Sequence, residues 1–419
     1  MEERPYDCSD YSSERCPRGV VTPFATTEHR EIDLIFVGCW GTYCSDETQI
    51  FGKQGGRESV TYGSKTVARA LEEATTDHSV DAVVLAGDNV YTMPCDMFRE
   101  MHDPNLDDDQ LFVEYKRNFP HARAMQFQMQ HGFQDCFANV QASEFIIGIG
   151  NHDVINCDLL HEQLNYRPFR PYLNAPKWNL PALYYEKFIH CDECSVQLLV
   201  IDTNLYDSKR PTCSGNTASL FVAELREAQL TWVLERLAAR PTDRKTWTVV
   251  VGHIPMQCIY HKRPNEQPPD ASGRTLSVES DYQDQFARQR IESSLRGDIM
   301  RMHAVHPIDL YVCADEHNMQ LINKIEVDRN PKHYRAVPPQ LICGGGGAKL
   351  DELQIDERTL SSINRLYAAT HFGFGDVLFS KTMMQIGIWD AVRQERVFTA
   401  TFRSNPGNIG STVVELDQS

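Results

Sequence analysis

Five short motifs place side chains capable of metal binding directly after apolar runs. IFVGCWG delivers Cys39, and VVLAGDNVY delivers Asp88, Asn89 and Tyr91. FIIGIGNHD delivers Asn151, His152 and Asp153, VVVGHIP delivers His253, and YVCADEH delivers Asp315 and His317. A small residue precedes each polar group, which lets the backbone pack closely and turn sharply. Carboxylates and amides offer oxygen, imidazoles offer nitrogen, and a phenolate suits a highly charged ion such as ferric iron. One carboxylate can bridge two ions, and two-ion centres hydrolyse phosphate esters by clamping the attacking and leaving oxygens. Singly, each motif is weak. A lone His after a strand is usually a structural hydrogen bonder, Gly-Asp pairs are common turns, and GHIP is the weakest of the five. GNHD is stronger because an amide and an imidazole sit together, and five such ends in series argue against accident. Cys39 is the outlier, a soft thiol among hard donors.

The elements that must position these groups alternate in type. IDLIFVG, DAVVLAG, EFIIGIG, QLLVIDT, WTVVVG and IDLYVCA are short β-branched runs bounded by small residues, which read as strands buried on both faces. VARALEEAT (67–75) and LREAQLTWVLERLAA (225–239) carry apolar residues at helical spacing. The order is α/β, and in such sheets ligands sit beyond the carboxyl ends of the strands. GDVLFSKTMMQIGIWDA and RVFTATF read as late strands without intervening helices, which predicts a mixed sheet. Residues 1–30 read as an irregular tail, 31–405 as one large domain and 406–419 as a C-terminal tail. MHDPNLDDDQ (101–110) and the Pro- and Ser-rich 261–281 read as surface loops.

The chain of 419 residues is 41% hydrophobic and 24% charged, an ordinary globular balance. Its net charge of -17, from 41 basic and 58 acidic residues, argues against nucleic-acid binding. A small anionic substrate would need a locally positive element such as a metal. The polar N-terminus lacks a secretory apolar segment, and no run reaches membrane-spanning length, so the expectation is a cytoplasmic or otherwise intracellular protein, or a mature chain. Thirteen scattered cysteines read as mostly reduced. CDEC (Cys191, Cys194) reads as a turn carrying two thiols, with half a zinc site or a redox pair as alternatives. GCWGTYC is neither a dinucleotide fingerprint nor a P-loop, and the late GGGGAKL (344–350) reads as structural.

GCWG, GDNVY, GNHD, GHIP and ADEHN together resemble the motif series of the purple acid phosphatases of the tartrate-resistant type, within the calcineurin-like metallophosphoesterases. Similarity extends through KWNLPALYYEKF (177–188), VQLLVIDT (196–203), AQLTWVLERLAA (228–239) and HFGFGDVLF (371–379). The resemblance implies a four-layer αββα sandwich with two mixed sheets and a dinuclear centre of iron with zinc, manganese or a second iron. It implies one ion held by Cys39, bridging Asp88, Tyr91 and His317, and another held by Asp88, Asn151, His253 and Asp315. It implies catalytic roles for His152 at the substrate phosphate and, by a looser match, His261. Two positions depart from the pattern: Cys39 stands where the family has Asp, and Asp315 where it has His. A carboxylate still binds divalent ions, whereas a thiolate favours zinc or a reduced metal. Two functions follow. One is hydrolysis of a small phosphate monoester by a metal-bound hydroxide. The other is a catalytically impaired phosphatase fold serving as a structural or binding component of a protein assembly.

Overall fold

The computed structural model describes residues 19–42, 48–91, 125–166, 177–207, 218–259, 278–325, 337–353, 363–403 and 413–417, apart from positions 24, 28, 54–55, 62, 126–127, 155–156, 242–243 and 352. Two mixed sheets organise it, one of eight strands and one of nine. In the first, Ile32–Val37, Ala82–Ala86, Phe145–Gly148 and Trp178–Asn179 run parallel. Gly373–Phe379 adds antiparallel to the other side of Ile32–Val37, followed by Met383–Asp390, Glu395–Arg403 and Val413–Asp417. In the second, Cys194–Val200, Lys245–Val251, Leu310–Cys313 and Gln340–Cys343 form the parallel centre. Tyr185–His190 flanks it on one side, and Met319–Ile325 with Ile363–Ala369 on the other, all antiparallel.

Side chains alternate across a strand, so one strand can serve two layers. Leu198, Val200, Val249, Val251, Leu310 and Val312 join the core shared with the first sheet. Their neighbours Leu199, Val250 and Tyr311 turn outward onto helices Ala218–Ala238 and Val278–Val305, against Leu230, Val233, Leu295 and Ile299. Helix Ser64–Thr75 packs against the first sheet through Val67, Ala68 and Leu71, the helical spacing read from VARALEEAT. These layers are the sandwich expected.

Both termini carry more order than expected. Val20–Val21 and Ala25–Thr26 pair with Tyr185–His190, within the segment taken as an irregular tail. Val413–Asp417 pairs with Glu395–Arg403, within the segment taken as a C-terminal tail. Each finds an open sheet edge whose backbone donors and acceptors it satisfies. The acidic loop at 101–110, and 261–277 of the polar insertion, lie outside the described residues. No helix among the described residues is long and apolar enough to cross a membrane.

Candidate metal centre

The carboxyl ends of the parallel strands of both sheets converge on one edge. Cys39, Asp88 and Asp315 stand at three of those ends with φ of 56°, 55° and 60°. Among the described non-glycine residues only Gln394 shares that left-handed conformation. Such backbone is costly outside glycine and collects at functional sites. It turns each side chain back over the strand end. The sheets meet closely here: a Cβ on Gly38 would lie 2.4 Å from that of Ala314. Gly38 N donates to Cys343 O at 2.8 Å and Cys39 N to Gly87 O at 3.0 Å. The GGGG run is structural, as expected, and straps the site: Gly346 N donates to Gly38 O and Ala348 N to Cys39 O.

Asp88 is the hub. Its Oδ2 accepts from Tyr91 Oη at 2.8 Å, and that hydroxyl lies 3.1 Å from His317 Nε2. Its Oδ1 lies 3.3 Å from His253 Nε2, which is 3.4 Å from Asp315 Oδ1. The Asn151 amide enters the same space, its inner atom 3.2 Å from Asp88 Oδ1, 3.2 Å from Asp315 Oδ1 and 3.1 Å from His253 Nε2. Cys39 Sγ and donor atoms of Asp88 and His253 lie within 4.8 Å of one another. The thiol therefore reaches towards His253 as well, although the resemblance assigned those two residues to different ions. His152 packs at a tilt of 34° against the Tyr91 ring, centroids 4.2 Å apart, and its buried Nδ1 has no hydrogen-bond partner among the described residues. His261 lies outside the described residues.

The donor set fits cations. His253 Nδ1 donates to Ala86 O at 2.8 Å and His317 Nδ1 to Lys349 O at 2.7 Å, which turns both Nε2 atoms into the site. Tyr91 has one proton for two acceptors, Asp88 Oδ2 and His317 Nε2. Cys39, Asp88 and His253 are fully or almost fully buried. Burial opposes charge on His253, yet Asp88 and Asp315 overcome it and raise its pKa well above the imidazole range. Burial likewise opposes ionisation of Asp88, yet His253 and His152 hold its carboxyl below the usual range. His253 thus lies between the carboxylates of Asp88 and Asp315, and His152 acts on Asp88 as well. Carboxylates that lean on imidazoles alone in a desolvated site are costly to keep charged, and an entering cation would relieve that cost. Burial, Asp88 and Asp315 push the Cys39 thiol well up, so the thiolate needs a cation to form.

Residues outside the expected ligand set hold this arrangement, one of them Asp153 of the GNHD motif. Asp153 accepts from Asn89 N (2.9 Å), Val90 N (3.1 Å) and Gly150 N (2.7 Å), tying the Asp88 turn to the Asn151 turn. Thr203 Oγ1 accepts from His253 N (3.1 Å) and Ile254 N (3.0 Å). Asn204 Nδ2 donates to Gly150 O at 3.2 Å. The signal for the last two was positional: Thr203 closes VIDT and Asn204 follows it, at another parallel-strand end.

The fold and this site define a metallophosphoesterase architecture. The chain belongs to the calcineurin-like phosphoesterase family, whose profile matches residues 34–319. It is similar in fold to GAP50, described as the anchor in the inner membrane complex of Plasmodium, at 14% identity and a TM-score of 0.52, covering 88% of each chain. It is also similar in fold to the purple acid phosphatase PPD1 of yellow lupin (Lupinus luteus) seeds, at 13% identity and a TM-score of 0.50, covering 91% of this chain and 55% of that one. No curated protein sequence matches it significantly.

Proposed function

We propose that the chain is a metal-dependent phosphomonoesterase of the purple acid phosphatase type, with a dinuclear centre in which Cys39 and Asp315 take two ligand positions. The observation that carries this reading is the division of Asp88, whose Oδ2 faces Tyr91 and whose Oδ1 faces His253. Cys39, Asp88, Tyr91 and His317 would hold one ion, and Asp88, Asn151, His253 and Asp315 the other. Bound there, the ions would supply Lewis acidity and neutralise charge developing on a phosphoryl group. The chain's own residues do the rest. Asp88 and Asp315 attract cations into a buried site, and the two tied imidazoles hold their lone pairs inward. His152, packed against Tyr91, has an Nδ1 that no described residue engages and that would hold a phosphate oxygen or pass a proton to the leaving group. Cys39 shifts preference towards zinc or ferrous iron, because a thiolate is soft and the zinc–sulfur bond is about 2.3 Å. The substrate is a small phosphorylated molecule, met inside the cell.

One observation favours a second reading, a phosphatase fold used as a binding or structural component of an assembly. Cys39 is wholly buried with its thiol held protonated, which removes one anionic ligand from the centre. The fold likeness to an anchoring protein agrees with that reading. Metal analysis with aryl-phosphate hydrolysis, on the wild type and on Cys39→Asp with Asp315→His, separates the two. Two metals per chain with wild-type turnover support the enzyme. No metal, and activity only in the double variant, overturns it.

A further inference from the structure

We propose that Cys191 and Cys194 form a reversible oxidation site that closes to a disulfide by exchange with a small-molecule disulfide such as oxidised glutathione. The two residues face each other across the turn that joins Tyr185–His190 to Cys194–Val200, with only Asp192 and Glu193 between them. Cys191 N donates to Cys194 O at 2.9 Å, so the hairpin itself fixes their separation. Their Sγ atoms lie 3.1 Å apart. A formed bond measures about 2.05 Å, so closure asks for a movement of roughly 1 Å. A zinc site would need further ligands. The one metal-type cluster among the described residues is Cys39 with Asp88 and His253, and neither thiol of the hairpin belongs to it.

The thiols also link the two sheets. Cys191 Sγ donates to Arg30 O at 3.1 Å, just before the strand Ile32–Val37. Cys194 Sγ donates to Phe379 O at 3.7 Å, at the end of the strand whose Phe379 pairs with Ile32. The hairpin of the second sheet therefore rests on the first sheet through two S–H donors. Oxidation removes both hydrogens, so the disulfide forms at the expense of those contacts. Asp192 and Glu193 at the tip are exposed, which gives an oxidant its approach, while the thiols themselves are buried. One thiolate attacks the oxidant's sulfur and releases one small thiol. The second then displaces the other small thiol from the mixed disulfide. In total two protein thiols and one small disulfide give one protein disulfide and two small thiols.

The test is peptide mapping of the full chain after equilibration of the native protein in oxidised or reduced glutathione and alkylation of the remaining thiols. Tryptic fragment 188–209 contains only these two cysteines. The expected result is a fragment that escapes alkylation after oxidation and is lighter by about 2 Da than the reduced one, reverting with excess reduced glutathione. Cys194→Ser should trap the mixed disulfide at Cys191, a gain of about 305 Da. Full alkylation of both residues under oxidising conditions overturns the proposal, as does a disulfide from either residue to another cysteine. Cys194→Ser without an adduct, when the wild type also stays reduced, overturns it equally.

Discussion

Two buried carboxylates of the first sheet, Asp88 and Asp376, live in opposite electrical surroundings. Asp376 sits within Gly373–Phe379 and carries its own cation, with Arg396 Nη2 donating to Oδ2 and Trp389 Nε1 to Oδ1 at 3.1 Å. Burial pushes its pKa up to about 6, Arg396 opposes the rise and Asp33 adds to it. Asp88 pairs with no guanidinium among the described residues. It shares one imidazole, His253, with a second carboxylate, Asp315. A buried carboxylate with a resident cation is complete as folded. One that leans only on shared imidazoles would gain from an imported ion.

The sharpest way to break this contrast is to delete each carboxylate. Asp88→Ala should empty the site of metal and lower aryl-phosphate turnover by on the order of 10³-fold. Asp376→Asn should leave metal content and turnover unchanged. Metal analysis that finds both ions still bound to Asp88→Ala would end the argument. Next in size is His253→Ala, which leaves Asp88 and Asp315 without their imidazolium. In chelator the variant should be less stable by about 3 kcal/mol in urea titrations, and excess zinc should recover part of the loss. An equal loss with and without metal would reduce His253 to a packing residue.

Smaller effects sharpen the contrast. Thr203→Val removes the acceptor shared by His253 N and Ile254 N while keeping the shape of the side chain. Metal affinity, read by competition with a coloured chelator, should fall about 10- to 100-fold, and Thr203→Ser should restore it. The smallest effect concerns Asp376 and pH. A carboxyl raised in the folded state costs stability as pH climbs from its unfolded pKa near 3.8 through about 6, and the cost is complete above that. Asp376→Asn should therefore gain on the wild type by about 2 kcal/mol between pH 4 and pH 7. Denaturation at several pH values that shows the opposite slope would mean Arg396 over-compensates the burial.

The strand ends were readable because the signal is local. A β-branched run, a small residue and a polar residue follow one another within about eight positions, and the chemistry of Asp88, Asn151, His253 and His317 lies in those few letters. The supports were not readable because their partners are distant. Thr203 holds His253 from fifty residues away in the chain, and nothing around VIDT advertises a hydroxyl that accepts twice. Cys39 was legible as an anomaly, but not its approach to His253, which depends on how the two sheets meet at Gly38. The short strands Val20–Val21 and Ala25–Thr26 offer too few residues for a period-two pattern. They form because an edge is waiting for them.

The strand Ile32–Val37 lies between an early neighbour, Ala82–Ala86, and a late one, Gly373–Phe379, with Ile35 opposite Asp376. That arrangement has a consequence for biosynthesis. A chain emerging at about 5–20 residues per second keeps one side of its most apolar early strand open until nearly the whole protein has left the ribosome. During that interval IDLIFV is an uncovered template for wrong pairing, the kind of segment chaperones hold. A version cut after residue 319, where the family match ends, would never cover it. Such a fragment should aggregate even though it carries every predicted metal ligand.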